Sequence, residues 1–235
     1  MIRARLLGAG AVCGLAILVV GLAARSLLPL SAAYPWRALA MFVVLLASAQ
    51  SRVHVHPFPT LGPANRVTLI RLAMVALILG LFGEPVEGSL AGAAVVVGAL
   101  VAMLDGLDGW LARRSGMVSA FGAKFDVDTD ALLILGMSVL VWRYGKADVW
   151  VLGIGLMRYA FIAAGLVLPW IARPLTPTLR GKVVAVFQMA ALCVALAPFV
   201  PRDVSTPVAA VALATLLWSF AADLGRLRRG VTVYE

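Results

Sequence analysis

Charge is scarce in this chain. Asp, Glu, Lys and Arg make up 13% of its 235 residues, about half the share found in an average soluble domain. The chain also lacks the alternation of apolar and polar residues that lines a transmembrane β-barrel. Its two cysteines, Cys13 and Cys193, both lie in apolar runs, which argues against a disulfide framework or a thiolate zinc site. No polar stretch is long enough to form a separate soluble domain.

Long apolar runs are what the chain has instead. Apolar residues make up 63% of it, and its mean hydropathy is +1.00. The runs approach the roughly 20 residues that a helix needs to cross a bilayer. We therefore expect an all-α, polytopic membrane protein. The eight expected spans are approximately residues 6–24, 36–49, 65–82, 89–112, 122–142, 149–171, 181–199 and 205–224.

The basic residues predict how these helices are oriented. Eight spans place both termini on one side of the membrane. If that side is the cytoplasm, fourteen Lys and Arg residues fall inside, Arg173 and Arg229 among them, five fall outside, and Arg158 lies within a span. Because basic residues concentrate in cytoplasmic loops, we expect an integral protein of the inner, cytoplasmic membrane. The net charge of +9 does not indicate nucleic-acid binding, since the chain has no basic-aromatic module.

Four aspartates lie between apolar runs in the middle of the chain. Asp105 and Asp108 are three residues apart, and Asp126 and Asp130 are four apart, so each pair shares one helix face. Asp128 lies about 200° around the helix from Asp126, so we do not include it in the carboxylate cluster. An antiparallel hairpin would bring both pairs together. Unpaired carboxylates at membrane depth are costly, so divalent cations with oxygen ligands are the expected compensation. Solvated helix-end carboxylates paired with nearby basic residues are the alternative.

The stretch from Asp105 to Asp130 follows the pattern Asp-x2-Asp-Gly-x2-Ala-Arg-x8-Gly-x3-Asp-x3-Asp at all of its fixed positions. On these residues the chain resembles the CDP-alcohol phosphotransferases, which are integral membrane enzymes of phospholipid synthesis. The six helices from about residue 65 onward also resemble that family's six-helix core. The resemblance predicts two parts, namely a two-helix N-terminal membrane extension with its connector (residues 1–60) and a six-helix catalytic domain (residues 61–235).

The resemblance also implies a reaction and its cofactors. A phosphatidyl group would pass from CDP-diacylglycerol to the hydroxyl of a small alcohol, and CMP would leave. Two divalent cations, Mg²⁺ or Mn²⁺, would be held by Asp105, Asp108, Asp126 and Asp130, with Asp130 also acting as the general base. The expected nucleotide-binding or donor-binding residues are Asn65, Thr68, Arg71, Gly109, Ala112, Arg113 and Gly122. Membrane lipids and a second copy of the chain, in a homodimer, are the expected partners.

Three of the donor-binding residues have plain structural alternatives. Asn65 could instead cap a helix, Thr68 could bond back to the backbone, and Arg71 could extend to the membrane surface. His54 and His56 form a His-x-His pair, but on an isolated connector with no third ligand nearby a surface loop is the simpler interpretation.

The acceptor is predicted from three basic residues, Arg158, Arg180 and Lys182. Arg158 lies nine residues into its span, and an intramembrane arginine is a candidate site residue. A structural ion pair is the alternative. A basic cluster suits a phosphorylated alcohol, so glycerol 3-phosphate is the preferred acceptor. An inositol phosphate, serine, choline or a lipid alcohol stays open, and so does a different class of protein, a divalent-cation transporter.

Overall fold

The structure, a computed structural model, describes residues 2–168, 170 and 178–228. These residues form eight α-helices and no strand, which confirms the expected fold class. Arg173 and Arg229, two of the basic residues assigned to the cytoplasmic side, lie outside the described residues. The helices are α1 (Ile2–Ala24), α2 (Tyr34–Arg52), α3 (Gly62–Gly80), α4 (Gly88–Ser115), α5 (Ala120–Arg143), α6 (Leu152–Val167), α7 (Leu179–Leu196) and α8 (Arg202–Arg228).

Seven of these helices are long and apolar enough to cross a membrane. The exception is α5, which had been expected to form the fifth span. Its first half carries Lys124, Asp126, Asp128 and Asp130, and only the part after Asp130 is continuously apolar. The helix that carries half of the predicted metal ligands is therefore the least membrane-like of the eight described.

The chain divides into two compact units, Met1–Gly136 and Met137–Glu235, and the boundary falls within α5. In the first unit, α3 is the central helix: α1, α2 and α4 all pack against it, and most of its residues are buried. Small residues permit the close approach, since a Cβ added at Gly80 would lie 3.0 Å from the Cβ of Ala38 on α2. The predicted division at residue 60 stays a prediction.

A buried carboxylate ties the α1–α2 loop to the end of α3. Glu84 follows the short 3₁₀ helix Leu81–Gly83, and its side chain is fully buried. It accepts hydrogen bonds from the backbone N–H and the hydroxyl of Ser31, at 2.7 Å each, and forms an ion pair with Arg37. The two N-terminal helices are thus bound to the rest of the first unit by polar contacts as well as apolar ones.

The second unit holds the end of α5 together with α6, α7 and α8. Gln188 of α7 donates a hydrogen bond to the carbonyl of Ala212 of α8 at 2.7 Å. Phe161 of α6 meets Phe220 of α8 edge to face, with the ring centroids 5.3 Å apart. Lys146 donates to the carbonyl of Ala197 beyond the end of α7, at 3.1 Å.

Candidate active site

The acidic hairpin is formed by a short turn between two well-terminated helices. Gly116 ends α4 in the left-handed conformation, with φ of 65°, which glycine adopts at little cost. Ser119 then caps α5, because its hydroxyl oxygen accepts a hydrogen bond from the Gly122 N–H at 3.0 Å. The turn reverses the chain within four residues, so the two aspartate pairs return to the same level.

The hairpin brings the acidic side chains together as the spacing predicts. One carboxylate oxygen from each of Asp105, Asp108 and Asp126 lies within 4.8 Å of the others. The Asp108 side chain is almost fully buried, at 4% exposure, whereas Asp105, Asp126 and Asp130 are 32–41% exposed. The cluster is therefore closed on one side and accessible on the other.

Arg71 of α3 lies in the middle of the four carboxylates. Its side chain has no exposed surface, and its terminal nitrogens form ion pairs with all four aspartates. Nη1 contacts Asp108 and Asp126, and Nη2 contacts Asp130 and, at 2.8 Å, Asp105. The planar fork of a guanidinium suits such multiple pairing, which the single nitrogen of a lysine would not reproduce. Arg71 does not extend to the membrane surface.

The charge of this cluster matches what divalent cations need. Four ionised carboxylates and one guanidinium leave a formal charge of −3 in a partly buried volume. The donor set consists entirely of carboxylate oxygens, which are preferred by hard cations. The separations of the ligand atoms are also short enough for one ion to contact several of them. The residues present therefore fit a metal site of the predicted kind.

Two other residues of α3 complete the inner wall of the site. The Thr68 hydroxyl lies 3.2 Å both from Asp108 Oδ2 and from the Ala64 carbonyl, so the back-bonded alternative and the site contact are both present. Asn65 is not a helix cap, because α3 begins at Gly62 and the Asn65 amide donates back to the Leu61 carbonyl at 2.6 Å. A Cβ added at Gly122 would lie 2.7 Å from Asn65 Oδ1, so a larger residue at this position would force the Asn65 side chain to shift.

The remaining residues of the motif lie on the more exposed side of α4. Ala112 is half-buried, and a Cβ added at Gly109 would meet only the Arg113 Nη1, at 3.5 Å. Arg113 itself is exposed and forms no ion pair with the carboxylates within the described structure. Its role toward a donor stays a prediction.

Asp128 and the two histidines lie outside the cluster. Asp128 forms an ion pair with Arg52 of α2 at 2.6 Å. His56 is buried, with Nδ1 3.0 Å from the Ser119 hydroxyl and Nε2 2.9 Å from the Thr60 carbonyl. It therefore supports the residue that caps α5, whereas His54 contacts the backbone carbonyl of Ser51. The two histidine rings have separate partners, and the expectation of a surface loop holds for the exposed His54 but not for the buried His56.

The three basic residues predicted for the acceptor all belong to the second unit. Arg180 forms an ion pair with Asp223 of α8 and lies over the Trp218 ring, 5.7 Å from its centroid. Lys182 is exposed at the start of α7, and Arg158 is half-buried in α6. Asp223 also lies 3.5 Å from Arg226, three residues further along α8. The role of the three basic residues toward an acceptor stays a prediction.

Comparison with known proteins agrees with this geometry. The family model for CDP-alcohol phosphatidyltransferases matches residues 61–219 of the chain. A CDP-diacylglycerol–glycerol-3-phosphate 3-phosphatidyltransferase of Bacillus subtilis (strain 168) is 25% identical over 164 residues, which cover 63% of this chain and 84% of the relative. No solved structure matches the chain.

Proposed function

The chain belongs to the CDP-alcohol phosphatidyltransferase family, and from that premise we propose that it transfers the phosphatidyl group of CDP-diacylglycerol to glycerol 3-phosphate. Membership makes it a multi-span membrane transferase of phospholipid synthesis. The observation that carries the proposal is the convergence of four aspartates from α4 and α5 at the one place where the family pattern lies.

The proposed reaction is a single displacement at phosphorus. The acceptor hydroxyl oxygen forms a bond to the lipid-side phosphorus of CDP-diacylglycerol, and the bond from that phosphorus to the CMP oxygen breaks. Asp130 takes the hydroxyl proton. This role is carried over from the family resemblance, and it is compatible with a side chain that is 37% exposed, whereas Asp108 is almost fully buried.

Two divalent cations, Mg²⁺ or Mn²⁺, held by Asp105, Asp108, Asp126 and Asp130, would neutralise the pyrophosphate charge and stabilise the leaving CMP when bound. The Thr68 hydroxyl, 3.2 Å from Asp108 Oδ2, orients the most buried of these carboxylates. The nucleotide side of the donor is proposed to lie against residues that the pattern and α3 supply, namely Asn65, Thr68, Arg71, Gly109, Ala112, Arg113 and Gly122.

Glycerol 3-phosphate is proposed as the acceptor for two reasons. The Bacillus subtilis relative carries that substrate in its name. The chain also has basic residues, Arg158, Arg180 and Lys182, which would bind a phosphate through charge-assisted hydrogen bonds. An identity of 25% does not determine the acceptor by itself. We further propose that the site faces the cytoplasm of the inner membrane, as the basic residues predict, and that the protein forms a homodimer.

One incubation tests the reaction and the acceptor together. Purified protein is mixed with CDP-diacylglycerol, Mg²⁺ and a panel of alcohols, and CMP and the lipid product are identified by mass spectrometry. The phosphatidyl ester of glycerol 3-phosphate is the expected product. A different ester would overturn the acceptor but keep the reaction class. Cation flux into liposomes, with no CMP released from CDP-diacylglycerol in the presence of any acceptor, would overturn the proposal and favour a transporter.

A substitution tests the role of the carboxylates in the same assay. Asp108→Asn is expected to lower CMP release by more than about 100-fold, because a neutral amide binds a divalent cation poorly. The matched control is Asp148→Asn, at an exposed aspartate that forms an ion pair with Arg202 at 2.6 Å. Both variants should insert and purify, and equal turnover of the two would remove the carboxylates from the mechanism.

A further inference from the structure

A second concave site lies in the first unit, on another face of α5. It is a cavity of about 300 Å³ between α2, the 3₁₀ helix Val53–Val55, α3 and α5. On α5 it is lined by Phe121, Phe125 and Leu132, and none of these residues belongs to the acidic cluster. Its apolar walls on the other elements include Leu45, Ala49 and Leu72. The volume lies at the lower end of pockets that hold small ligands.

Basic side chains line the same cavity. Arg52 comes from α2, His54 from the 3₁₀ helix and Lys124 from α5. Arg52 forms an ion pair with Asp128 at 2.6 Å and also contacts the Ser48 hydroxyl at 2.7 Å. Lys124 is exposed and has no ion-pair partner among the described residues. With Arg52 balanced by Asp128, Lys124 gives this cavity a net positive charge.

An apolar interior with a cationic edge suits a ligand that has two parts, a hydrocarbon chain and an anion. In a membrane protein, basic pockets between helices bind the headgroups of anionic lipids. A soluble anion would not use the apolar wall, and a zwitterionic lipid would gain less from Lys124.

We propose that this cavity binds an anionic phospholipid, with a segment of an acyl chain between α2 and α5 and the phosphate at Lys124 and Arg52. The site is separate from the one that holds the reacting lipid, and the inference does not depend on the proposed reaction. It also assigns a role in lipid binding to the N-terminal extension. One wall comes from α2, and another wall comes from the helix that carries Asp126 and Asp130.

Native mass spectrometry of the full-length protein in detergent tests the lipid site. The probes are phosphatidylglycerol and phosphatidylcholine with identical acyl chains. The wild-type protein should retain one phosphatidylglycerol in preference to phosphatidylcholine. Lys124→Gln should weaken this retention about fivefold, the effect expected for one basic residue at a membrane surface. The control Arg66→Gln, on the exposed side of α3, should change nothing.

A second pair of variants tests the apolar part. Ala49→Phe would fill the cavity, and it should abolish retention of the single lipid. Its control is Ala47→Phe, which adds the same ring at an exposed position of α2. Because Ala49 is buried and its replacement could disturb folding, Lys124→Gln decides the question if Ala49→Phe does not purify.

Three results would overturn the inference. Equal retention of the two lipids by the wild-type protein would exclude recognition of the anion. Unchanged retention in Lys124→Gln would exclude the proposed phosphate contact. One-for-one displacement of the retained lipid by CDP-diacylglycerol would show that the cavity holds the chains of the donor instead. None of these results depends on CMP release, so the inference and the proposed reaction fail independently.

Discussion

Replacing Arg71 with alanine should make the stability of the protein depend on metal. Arg71 is fully buried and forms ion pairs with all four aspartates. Without bound cations, its removal leaves the carboxylates facing one another. Breaking a buried ion pair by removing one partner costs about 3–5 kcal/mol. For a chain of this size the melting temperature should fall by roughly 6–20 °C in a chelator.

Added metal should restore much of that loss. A cation at 100 times its dissociation constant adds about 2.7 kcal/mol, or roughly 5–11 °C. In the wild-type protein a cation has to compete with the guanidinium for the same carboxylate oxygens. The shift produced by Mg²⁺ or Mn²⁺ should therefore be larger in Arg71→Ala than in the wild-type protein, and half of it should be reached at a lower concentration.

Thermal melts of detergent-solubilised protein, in a chelator and across a metal titration, measure both effects without any turnover. Arg66→Ala is the matched control, because Arg66 is on the same helix but exposed. The melting temperature of Arg71→Lys in chelator should lie between those of Arg71→Ala and Arg66→Ala. A lysine keeps the charge but has one nitrogen where the guanidinium uses two. The reasoning is refuted if Arg71→Ala melts like the wild-type protein in chelator, or if both respond equally to metal.

Three further predictions concern residues around the site and the fold. Gly122→Ala should destabilise the protein by about 1–3 kcal/mol, less any gain in helix propensity, because the new Cβ meets Asn65 Oδ1 at 2.7 Å; a thermal melt that moves upward would contradict the close approach. Glu84→Ala should cost about 1–3 kcal/mol by leaving Arg37 and the Ser31 N–H without their carboxylate, and limited proteolysis should then release the N-terminal helices first. Arg158→Ala should raise the KM for the acceptor more than that for CDP-diacylglycerol, and an unchanged acceptor KM would remove Arg158 from the acceptor site.

Several features of the protein follow from local sequence alone. A membrane helix needs only about 20 apolar residues, so the number of helices and their approximate bounds could be predicted. The observed helix ends differ from the predicted ones by a few residues, because capping depends on details such as the Ser119 hydroxyl. The two aspartate pairs were predictable for a similar reason: spacings of three and four residues place side chains on one face of any α-helix. The short turn between the helices then brings the two pairs together.

Tertiary structure decided which partner each charged group has. Arg71 is 34 residues from Asp105 in the chain and 59 from Asp130, and no local spacing indicates that it pairs with both. The same holds for Glu84 with Ser31, for Arg52 with Asp128, and for the cavity that Arg52 shares with Lys124. Helical periodicity determines which face a residue occupies, but not which other helix covers that face. For Arg71 and the aspartates of α5, the choice is visible at Gly122, where the absence of a Cβ leaves room for the Asn65 side chain of α3.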